Sequence, residues 1–264
     1  MLSDHAAEAG IGRRQGPPSI MGIALLLSMI VAVAPGAPAT TGSAPTYLYE
    51  ARLVQAAPGK LLDLIELYKA RMAGRQAGGD EPPLWMRHSQ GDRWDLMLLL
   101  PMGSYSEYYR PDRIASRAKA ETRESRERLA ADISWQEDVF VYGPGLDELR
   151  KAFGGSAFFH VEMFQALAGR GSDLYKEREM ENAYLRTLHE PDNFIFVRDQ
   201  GAAWDLFTIG CYRSLKHYAE GFDVPLKDQE SAAKQAGFED TAHIGPYLRT
   251  LISAHHDTLA VAIK

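Results

Sequence analysis

The 264-residue sequence has a single cysteine, Cys211, and no excess of basic residues. One thiol excludes an intrachain disulfide, so stability must come from packing, which a chain of this length can supply. Cys211 lies in an apolar run, and this predicts a buried, unreactive thiol. The formal net charge of −6 at pH 7 argues against a nucleic-acid-binding protein, because such proteins usually carry a basic surface.

The sequence also lacks the catalytic motifs that can be recognised by spacing. It has no glycine-rich phosphate-binding loop, no paired CxxC motif and no ordered Ser/His/Asp signature. Kinase, zinc-ribbon and serine-hydrolase functions therefore have no support. A functional site must be inferred from the fold and from the placement of side chains.

Long hydrophobic runs are scarce, and the main one lies near the N-terminus. Arg13 and Arg14 precede an uncharged apolar run over residues 20–34, which is shorter than a membrane span. An Ala-x-Ala motif follows at residues 37–39. This pattern predicts a signal peptide over residues 1–39, cleaved near Ala39, and a periplasmic or secreted protein without a stable membrane anchor.

The sequence does contain an internal repeat. The segment "QGDRWDL" begins at Gln90, and "QGAAWDL" begins at Gln200. A shift of 110 residues aligns residues 47–109 with residues 157–219 without a gap, with 13 identities among 63 pairs. The alignment predicts a tandem duplication.

The repeated segment is typical of a β-hairpin, because its glycine supplies the backbone freedom that a tight turn needs. The expected register places His88 opposite Asp95 in the first copy. In the second copy it places Arg198 opposite Asp205. Both copies would then pair a basic side chain with the Asp of Trp-Asp-Leu, which helps to fix the register.

Each copy shows the same order of hydrophobic patterns: strand, helix, two strands around the hairpin, a helical segment and a final strand. This βαββαβ order is that of a ferredoxin-like unit and predicts an α+β protein. The first repeat would span residues 40–143, a linker with one short helix residues 144–156, and the second repeat residues 157–264. Two such units can place their sheets face to face, so that one monomer closes a barrel.

The pattern resembles the dimeric α+β barrel superfamily, with two copies fused. The segments "YLYEARLVQAAPGKLLDLIELYKA" and "RWDLMLLLPMGSYSEYY" are similar to its NIPSNAP-like and EthD-like branches. The resemblance implies a broad range of functions: cofactor-independent monooxygenases, decarboxylating or dehydrating enzymes, stress-response binding proteins, and haem proteins of the chlorite dismutase and dye peroxidase kinds. Fold alone leaves the activity open.

The first strand of each copy carries two ionisable residues on one face and apolar residues on the other. Glu50 and Arg52 share a face in the first copy, as do His160 and Glu162 in the second. We expect the ionisable faces to line the space between the two sheets. His160 and Glu162 are then the candidate catalytic pair, because a histidine oriented by a carboxylate can transfer protons. Glu50 and Arg52 would bind the substrate.

The same four residues have a purely structural alternative, as a buried ion-pair cluster or as an inert group at an exposed rim. Trp94 and Trp204 are candidate substrate contacts that would add aromatic wall to the lumen. Such a pocket suits a small, flat apolar or aromatic molecule with one acidic or hydroxyl group.

No cofactor or metal site is predicted, and haem or a single metal ion is the alternative. A metal at His160 and Glu162 would need a third ligand, for which His88, His189 and His217 are candidates. Haem would need an axial histidine from a helix that faces the lumen. The candidates are His243, His255 and His256, the last two at an expected helix C-terminus.

Three functions remain open at this point. The first is a cofactor-independent enzyme acting by proton transfer, as in a monooxygenase, lyase or isomerase. The second is a non-catalytic binding protein for a small molecule or haem. The third is a scaffold with a solid core.

Overall fold

The structure, a computed structural model, describes residues 45–263. The predicted signal peptide lies outside this range. Within it, no helix combines the length and the apolar character that crossing a membrane requires.

The first half of the described chain runs β1 (Tyr47–Ala56), α1 (Leu61–Ala77), β2 (Leu84–Gln90), β3 (Leu96–Gly103), α2 (Tyr105–Tyr108), α3 (Pro111–Ala120), α4 (Arg123–Asp132) and β4 (Ile133–Gly143). Helix α5 (Leu146–Gly154) connects the halves, as predicted for the linker. The second half runs β5 (Phe158–Ala166), α6 (Gly171–Thr187), β6 (Asn193–Gly201), β7 (Leu206–Tyr212), α7 (Leu215–Glu220), α8 (Leu226–Ala236), α9 (Ile244–Arg249) and β8 (Ile252–Ala262).

The eight strands form one closed antiparallel barrel in the order β1-β3-β2-β8-β5-β7-β6-β4. Within each half the first strand lies between the last strand and the third, which is the arrangement of a ferredoxin-like unit. Two seams join the halves, β2 with β8 and β4 with β6. The predicted α+β fold, with two ferredoxin-like units closing a barrel in one chain, is confirmed.

The register predicted for the two hairpins is correct. The backbone N–H of His88 donates to the carbonyl of Asp95 at 2.8 Å, and that of Arg198 donates to Asp205 at 3.0 Å. Arg198 also forms a salt bridge with the Asp205 carboxylate. His88 instead packs edge-on against Trp94, with ring centroids 5.8 Å apart. The charge pair thus forms in the second hairpin, whereas an aromatic contact takes its place in the first.

The Asp of each Trp-Asp-Leu segment has a second role that alternation alone does not reveal. The Asp95 carboxylate accepts a hydrogen bond from the backbone N–H of Ala56 at 2.8 Å. Asp205 accepts the equivalent bond from Ala166 at 2.9 Å. Each carboxylate therefore anchors its hairpin to the end of the first strand of its own half.

The repeated glycine allows the two seams to close. A Cβ on Gly91 would lie 2.2 Å from the carbonyl oxygen of Asp257 in β8, and one on Gly201 would lie 2.7 Å from that of Asp138 in β4. Both glycines also have positive φ, +127° and +92°. Only glycine satisfies both constraints, so the repeated turn brings each hairpin against the last strand of the other half.

The single helical segment expected before the final strand of the first half is two helices, α3 and α4. The chain is extended at Glu121 and Thr122, and the Thr122 hydroxyl accepts from the N–H of Ser125 to cap α4. The final strand of this half, β4, follows α4 directly and starts at Ile133.

The lumen of the barrel is an apolar core, and this contradicts the predicted orientation of the strand faces. Tyr49, Ala51 and Leu53 of β1 pack in the same cluster as Phe159, Val161 and Met163 of β5. The opposite faces, with the four ionisable residues, point to the helices. Both faces of each sheet are covered, so alternation distinguishes two faces without showing which one faces the other sheet.

Candidate active site

Glu50 and Arg52 lie beneath α1 in a closed ion-pair group. The Arg52 guanidinium bonds Glu50 at 2.5 Å and Asp138 at 2.7 Å. β1 and β5 lie on opposite sides of the barrel, separated by three strands in either direction. The structure therefore does not bring Glu50 and Arg52 together with His160 and Glu162, and the predicted shared lumen site is wrong.

His160 and Glu162 do share a face, and β8 completes their surroundings. Glu162 pairs directly with Asp257 in the sheet. His160 Nε2 lies 3.3 Å from Asp257 Oδ1. His255 Nε2 lies 3.3 Å from the same oxygen and 3.6 Å from Glu162 Oε1. Two histidines and two carboxylates thus form one group, called here the β5–β8 cluster: His160, Glu162, His255 and Asp257.

The prediction for His255 and His256 is wrong, because both lie in β8 rather than at a helix end. α9 ends at Arg249, and the strand begins at Ile252. His256 is on the lumen side of β8, edge-on to Trp204 with ring centroids 4.7 Å apart. His243 is half exposed, in a 3₁₀ turn, and bonds Asp240 at 2.7 Å. None of these three is an axial ligand from a helix facing the lumen.

Side chains of helix α6 contact the cluster on the side of the sheet away from the lumen. Arg178 is 3% exposed and lies 3.5 Å from Glu162 Oε2. It also bonds Glu177 through two nitrogens, at 2.6 and 2.8 Å, and forms a further salt bridge with Glu181. Thr208 of β7 donates its hydroxyl to Glu162 at 3.0 Å. Glu162 is therefore contacted from two sides, by Arg178 of α6 and by Thr208 of β7.

Burial and neighbouring charges have opposite effects on the pKa values of the two histidines. Burial alone lowers the pKa of His160, but the Asp257 and Glu162 carboxylates outweigh it, and the pKa is raised. For His255 the same balance raises the pKa to about 9. Its carboxylate neighbours cause this shift because they stabilise the imidazolium form.

The pKa values of the Asp257 and Glu162 carboxylates are shifted in the opposite direction, downward. The two histidines lower the pKa of Asp257 well below its usual range. Burial raises the pKa of Glu162, but His255 and Arg178 more than offset it, and the pKa is lowered. Burial also raises the pKa of Glu181 to about 7, despite Arg178 beside it. Groups with pKa values pushed apart in this way are typical of acid–base sites.

The cluster opens to solvent at one side. Asp257 is 56% exposed, whereas His160 is 17% exposed. Tyr218 of α7 lies beside His160 with ring centroids 5.4 Å apart, and Phe222 stands edge-on to Tyr218 at 5.6 Å. Phe222 is 73% exposed. An aromatic wall therefore borders the open side of the cluster.

Trp94 and Trp204 lie in the lumen as expected, but little space remains there. Trp94 is fully buried in the core. Trp204 lines a lumen cavity of about 10 Å³. That volume holds one water at most. Trp94 and Trp204 are therefore core residues, and the expectation that they contact a substrate between the sheets is wrong.

The residues of the cluster do not fit haem. An axial histidine must face a space large enough for the macrocycle, whereas His160 and His255 both direct Nε2 at Asp257. Cavities within residues 45–263 include three of about 100, 30 and 10 Å³ and one open groove of about 340 Å³, and neither histidine lines any of these four. Sites for organic cofactors usually offer about 300–1,000 Å³.

No protein-family model matches the chain, and no curated protein matches it. Among solved structures it is similar to an anthrone oxidase-like protein, with a TM-score of 0.55 and 11% identity, over 83% of this chain and 92% of that one. It is also similar to a proposed monooxygenase from Lactobacillus acidophilus (TM-score 0.48, 6% identity, 82% and 93% coverage). A haem-binding protein from Thermus thermophilus has a TM-score of 0.43 and 9% identity over 83% and 92%.

At these identities the likeness shows the fold alone. The class that the structure defines is an antiparallel, ferredoxin-like α+β barrel. The site must be judged on the side chains of this chain.

Sequence reasoning missed Asp257, Arg178 and Tyr218, and it considered His255 only as a helix-borne haem ligand. One signal could have placed His255 and Asp257 on the final strand. "ISAHHD" at 252–257 aligns with "ISWQED" at 133–138 when the shift is 119 rather than 110. Ser134 and Ser253 each donate to a backbone carbonyl at the end of the neighbouring first strand. An alignment of the two halves that allows one insertion in the second would therefore have predicted a longer final strand in each half.

Proposed function

We propose that the protein is a cofactor-independent enzyme that transfers protons on a small molecule at the β5–β8 cluster. The observation that carries the proposal is the shared contact of two histidine Nε2 atoms with one carboxylate oxygen, Asp257 Oδ1, beside a solvent opening. A carboxylate that holds an imidazole in place is the arrangement that general acid–base catalysis uses.

His160 is the proposed acid–base residue. It lies closer to the open side than His255, whose side chain is 9% exposed. Asp257 orients the His160 ring and stabilises its imidazolium form. His255 and Glu162 are positioning residues, since His255 contacts both carboxylates and Glu162 is held by Arg178. Proton abstraction from a C–H or O–H group is a step that isomerases, lyases and cofactor-free oxygenases share.

The proposed substrate is a small apolar or aromatic molecule with an acidic or hydroxyl group. The aromatic wall of Tyr218 and Phe222 supports this choice, because a flat apolar group can stack on it. The acidic group would meet His160 at the opening beside Asp257. Binding would thus occur on the outer face of the sheet rather than between the sheets.

Export to the periplasm or the medium is part of the proposal and rests on the apolar segment at residues 20–34 and the Ala-x-Ala motif. Mass determination of the protein recovered from a periplasmic extract tests it. We expect a chain that begins close to residue 40.

The test of the activity is solvent exchange. The purified protein is incubated in D₂O with a panel of small aromatic keto, hydroxy and carboxylic compounds, and loss of substrate C–H signals is followed by NMR. We expect His160→Gln to lower the exchange rate of an accepted compound by about 10²–10⁴-fold, the usual contribution of a general acid or base.

Two matched variants control for folding and location. Trp204→Phe alters the lumen, and His256→Gln removes a histidine next in sequence to His255 but on the opposite face of β8. Both should retain exchange within a few-fold. Full activity of His160→Gln, or loss of activity only in Trp204→Phe, would contradict the proposed site. Retention of a bound compound without exchange would identify a binding protein.

A further inference from the structure

The nitrogen–oxygen distances in the β5–β8 cluster are long for charged hydrogen bonds and leave room for an ion between the side chains. The nitrogen–oxygen distances are 3.3, 3.3 and 3.6 Å. Optimal hydrogen bonds between charged groups are shorter, about 2.7–2.9 Å. Ligands bound to a tetrahedral ion at about 2.0–2.2 Å lie roughly 3.3–3.6 Å from one another.

The ligand types are also those of a metal site. The side-chain atoms of His160, Glu162 and Asp257 all lie within 4.8 Å of one another. His255 lies close to two of these three residues. Imidazole nitrogens and carboxylate oxygens on two adjacent strands suit zinc and other first-row divalent ions.

A second observation points to a missing partner. His255 Nε2 is buried, its side chain is 9% exposed, and this atom makes no aligned hydrogen bond. It is directed at the gap between Glu162 and Asp257. A buried polar atom without an aligned hydrogen bond is rare and costs free energy, so an additional ligand near it would be favourable.

The first half provides an internal comparison. At the matching strand positions, Arg52 lies between Glu50 and Asp138 and bonds both. A resident cation therefore bridges the two carboxylates of the first half. In the second half Glu162 stands at the position of Arg52, paired with Asp257 as Arg52 is with Asp138. In the described second half Arg178 lies 3.5 Å from Glu162, and the imidazole of His255, rather than a guanidinium, lies between Glu162 and Asp257.

We propose that the β5–β8 cluster binds one divalent first-row transition-metal ion through His160, Glu162 and Asp257, with His255 beside the site. The ion takes the place that a guanidinium occupies in the first half. The bound ion would also engage the lone pair of His160 Nε2, which could then no longer accept a proton. If the proposed proton transfer holds, on which this consequence rests, the metal-loaded protein is the inactive form.

The test is titration of chelator-treated, full-length protein with Co²⁺, followed by visible absorption, and with Zn²⁺, followed by calorimetry. We expect one equivalent to bind and intense absorption typical of low-coordinate Co²⁺. His160→Ala and Asp257→Asn should each weaken binding by more than about 100-fold, because loss of even an outer partner of a metal ligand commonly costs 10–100-fold.

Controls separate this site from others. His256→Ala removes a neighbouring histidine on the opposite face. His243→Ala disrupts the exposed group formed by Glu239, Asp240 and His243 on one turn. Both variants should bind as the parent does. Absence of binding, binding unchanged in His160→Ala and Asp257→Asn, or loss only in His243→Ala would overturn the proposal.

The metal-site proposal and the proton-transfer proposal can be contradicted separately. Binding is measured without substrate, so it can stand even if no compound undergoes exchange. Conversely, exchange that persists in chelator while no ion binds would leave the proton-transfer proposal intact and overturn the metal site. Activity that requires added Co²⁺ or Zn²⁺ would keep the site and contradict its inhibitory role.

Discussion

At the scale of single residues, the two halves place different chemistry on equivalent strand positions. The first half closes its group with Arg52, whose guanidinium keeps its charge at all relevant pH values. The second half has His160 and His255, whose imidazoles can gain and lose a proton and whose pKa values are raised by the neighbouring carboxylates. A permanent ion pair can stabilise the sheet, whereas a titratable group can also move protons. This difference is why we place function in the second half.

Stability should depend on pH through His255. Its pKa is raised to about 9 by the neighbouring carboxylates. A raised pKa contributes stability that is complete below the unfolded-state pKa of about 6.5 and is lost as the pH rises to about 9. In chelator-treated protein we expect the unfolding free energy to fall by at most about 3 kcal/mol over this window.

Urea denaturation at pH 6 and pH 9.5 measures this decrease in the free energy of unfolding. We expect a smaller decrease in Asp257→Asn than in the parent. Asp257 should make stability depend on pH at the acid end as well. Its pKa is lowered, so the stability it contributes is present above its unfolded-state value and lost as the pH falls. An equal alkaline loss in the parent and in Asp257→Asn would show that His255 is not coupled to Asp257.

Cys211 should be unreactive in the folded protein. Burial raises the pKa of its thiol to about 12, so the thiolate fraction at pH 8 is very small. A chromogenic disulfide reagent should modify Cys211 slowly in buffer and rapidly in denaturant. Rapid reaction in buffer would mean that β7 opens or that the thiol is accessible. Slow reaction would agree with the expectation from the apolar sequence around it.

The sequence predicted His160 and Glu162 as a pair because their spacing along one strand is local. It could not predict Asp257 and His255, because their contact with β5 comes from strand pairing over a separation of about 95 residues. The sequence also did not reveal Arg178 as a partner of Glu162, because α6 is rich in charged residues and the pattern does not show which of them point inward.

At the scale of elements, the hairpins show which features are local and which depend on the whole fold. Their register follows from the turn glycine and from alternation, and the structure confirms it. The final strand of the second half was assigned in part to a helix, because "LRTLISAHH" has apolar residues at helical spacing. Pairing with β2 and β5 overrides that propensity.

Each hairpin Asp should stabilise the fold through a side-chain bond to the backbone. Asp95→Ala removes the acceptor for the N–H of Ala56, which is buried. A desolvated donor without a partner costs about 1–3 kcal/mol. We expect that loss in chemical denaturation for Asp95→Ala, and an equal or smaller loss for Asp205→Ala.

A control for the hairpin prediction is Asp112→Ala. Asp112 forms an exposed salt bridge with Arg110, so its removal should change the free energy of unfolding little. If Asp95→Ala is as mild as Asp112→Ala, the backbone bond contributes little and the repeated Asp needs another explanation.

At the scale of the whole molecule, neither half is complete without the other. The lumen core draws on β1, β3 and β4 of the first half and on β5 and β7 of the second. Two seams of backbone hydrogen bonds also cross between the halves. The sequence predicted this closure from the repeat, since two ferredoxin-like units leave bare sheet faces. It could not give the direction of the faces, because both are buried.

A fragment of residues 40–150 should therefore not behave as a folded monomer. It would expose Tyr49, Ala51 and Leu53 together with two unpaired strand edges. Exposed apolar faces and strand edges promote association. Size-exclusion chromatography with light scattering should show a dimer or aggregate. A soluble, folded monomer would contradict a core shared between the two halves.

The central claim is that two histidines and two carboxylates act as one group on the outer face of the second half. The most direct measurement is an NMR titration of the histidine side chains in chelator-treated, ¹⁵N-labelled protein, with Asp257→Asn in parallel. The structure predicts that His255 titrates near pH 9 in the parent and moves toward its ordinary value of about 6.5 in Asp257→Asn. A His255 midpoint near 6.5 in both proteins would contradict the cluster and the functions proposed for it.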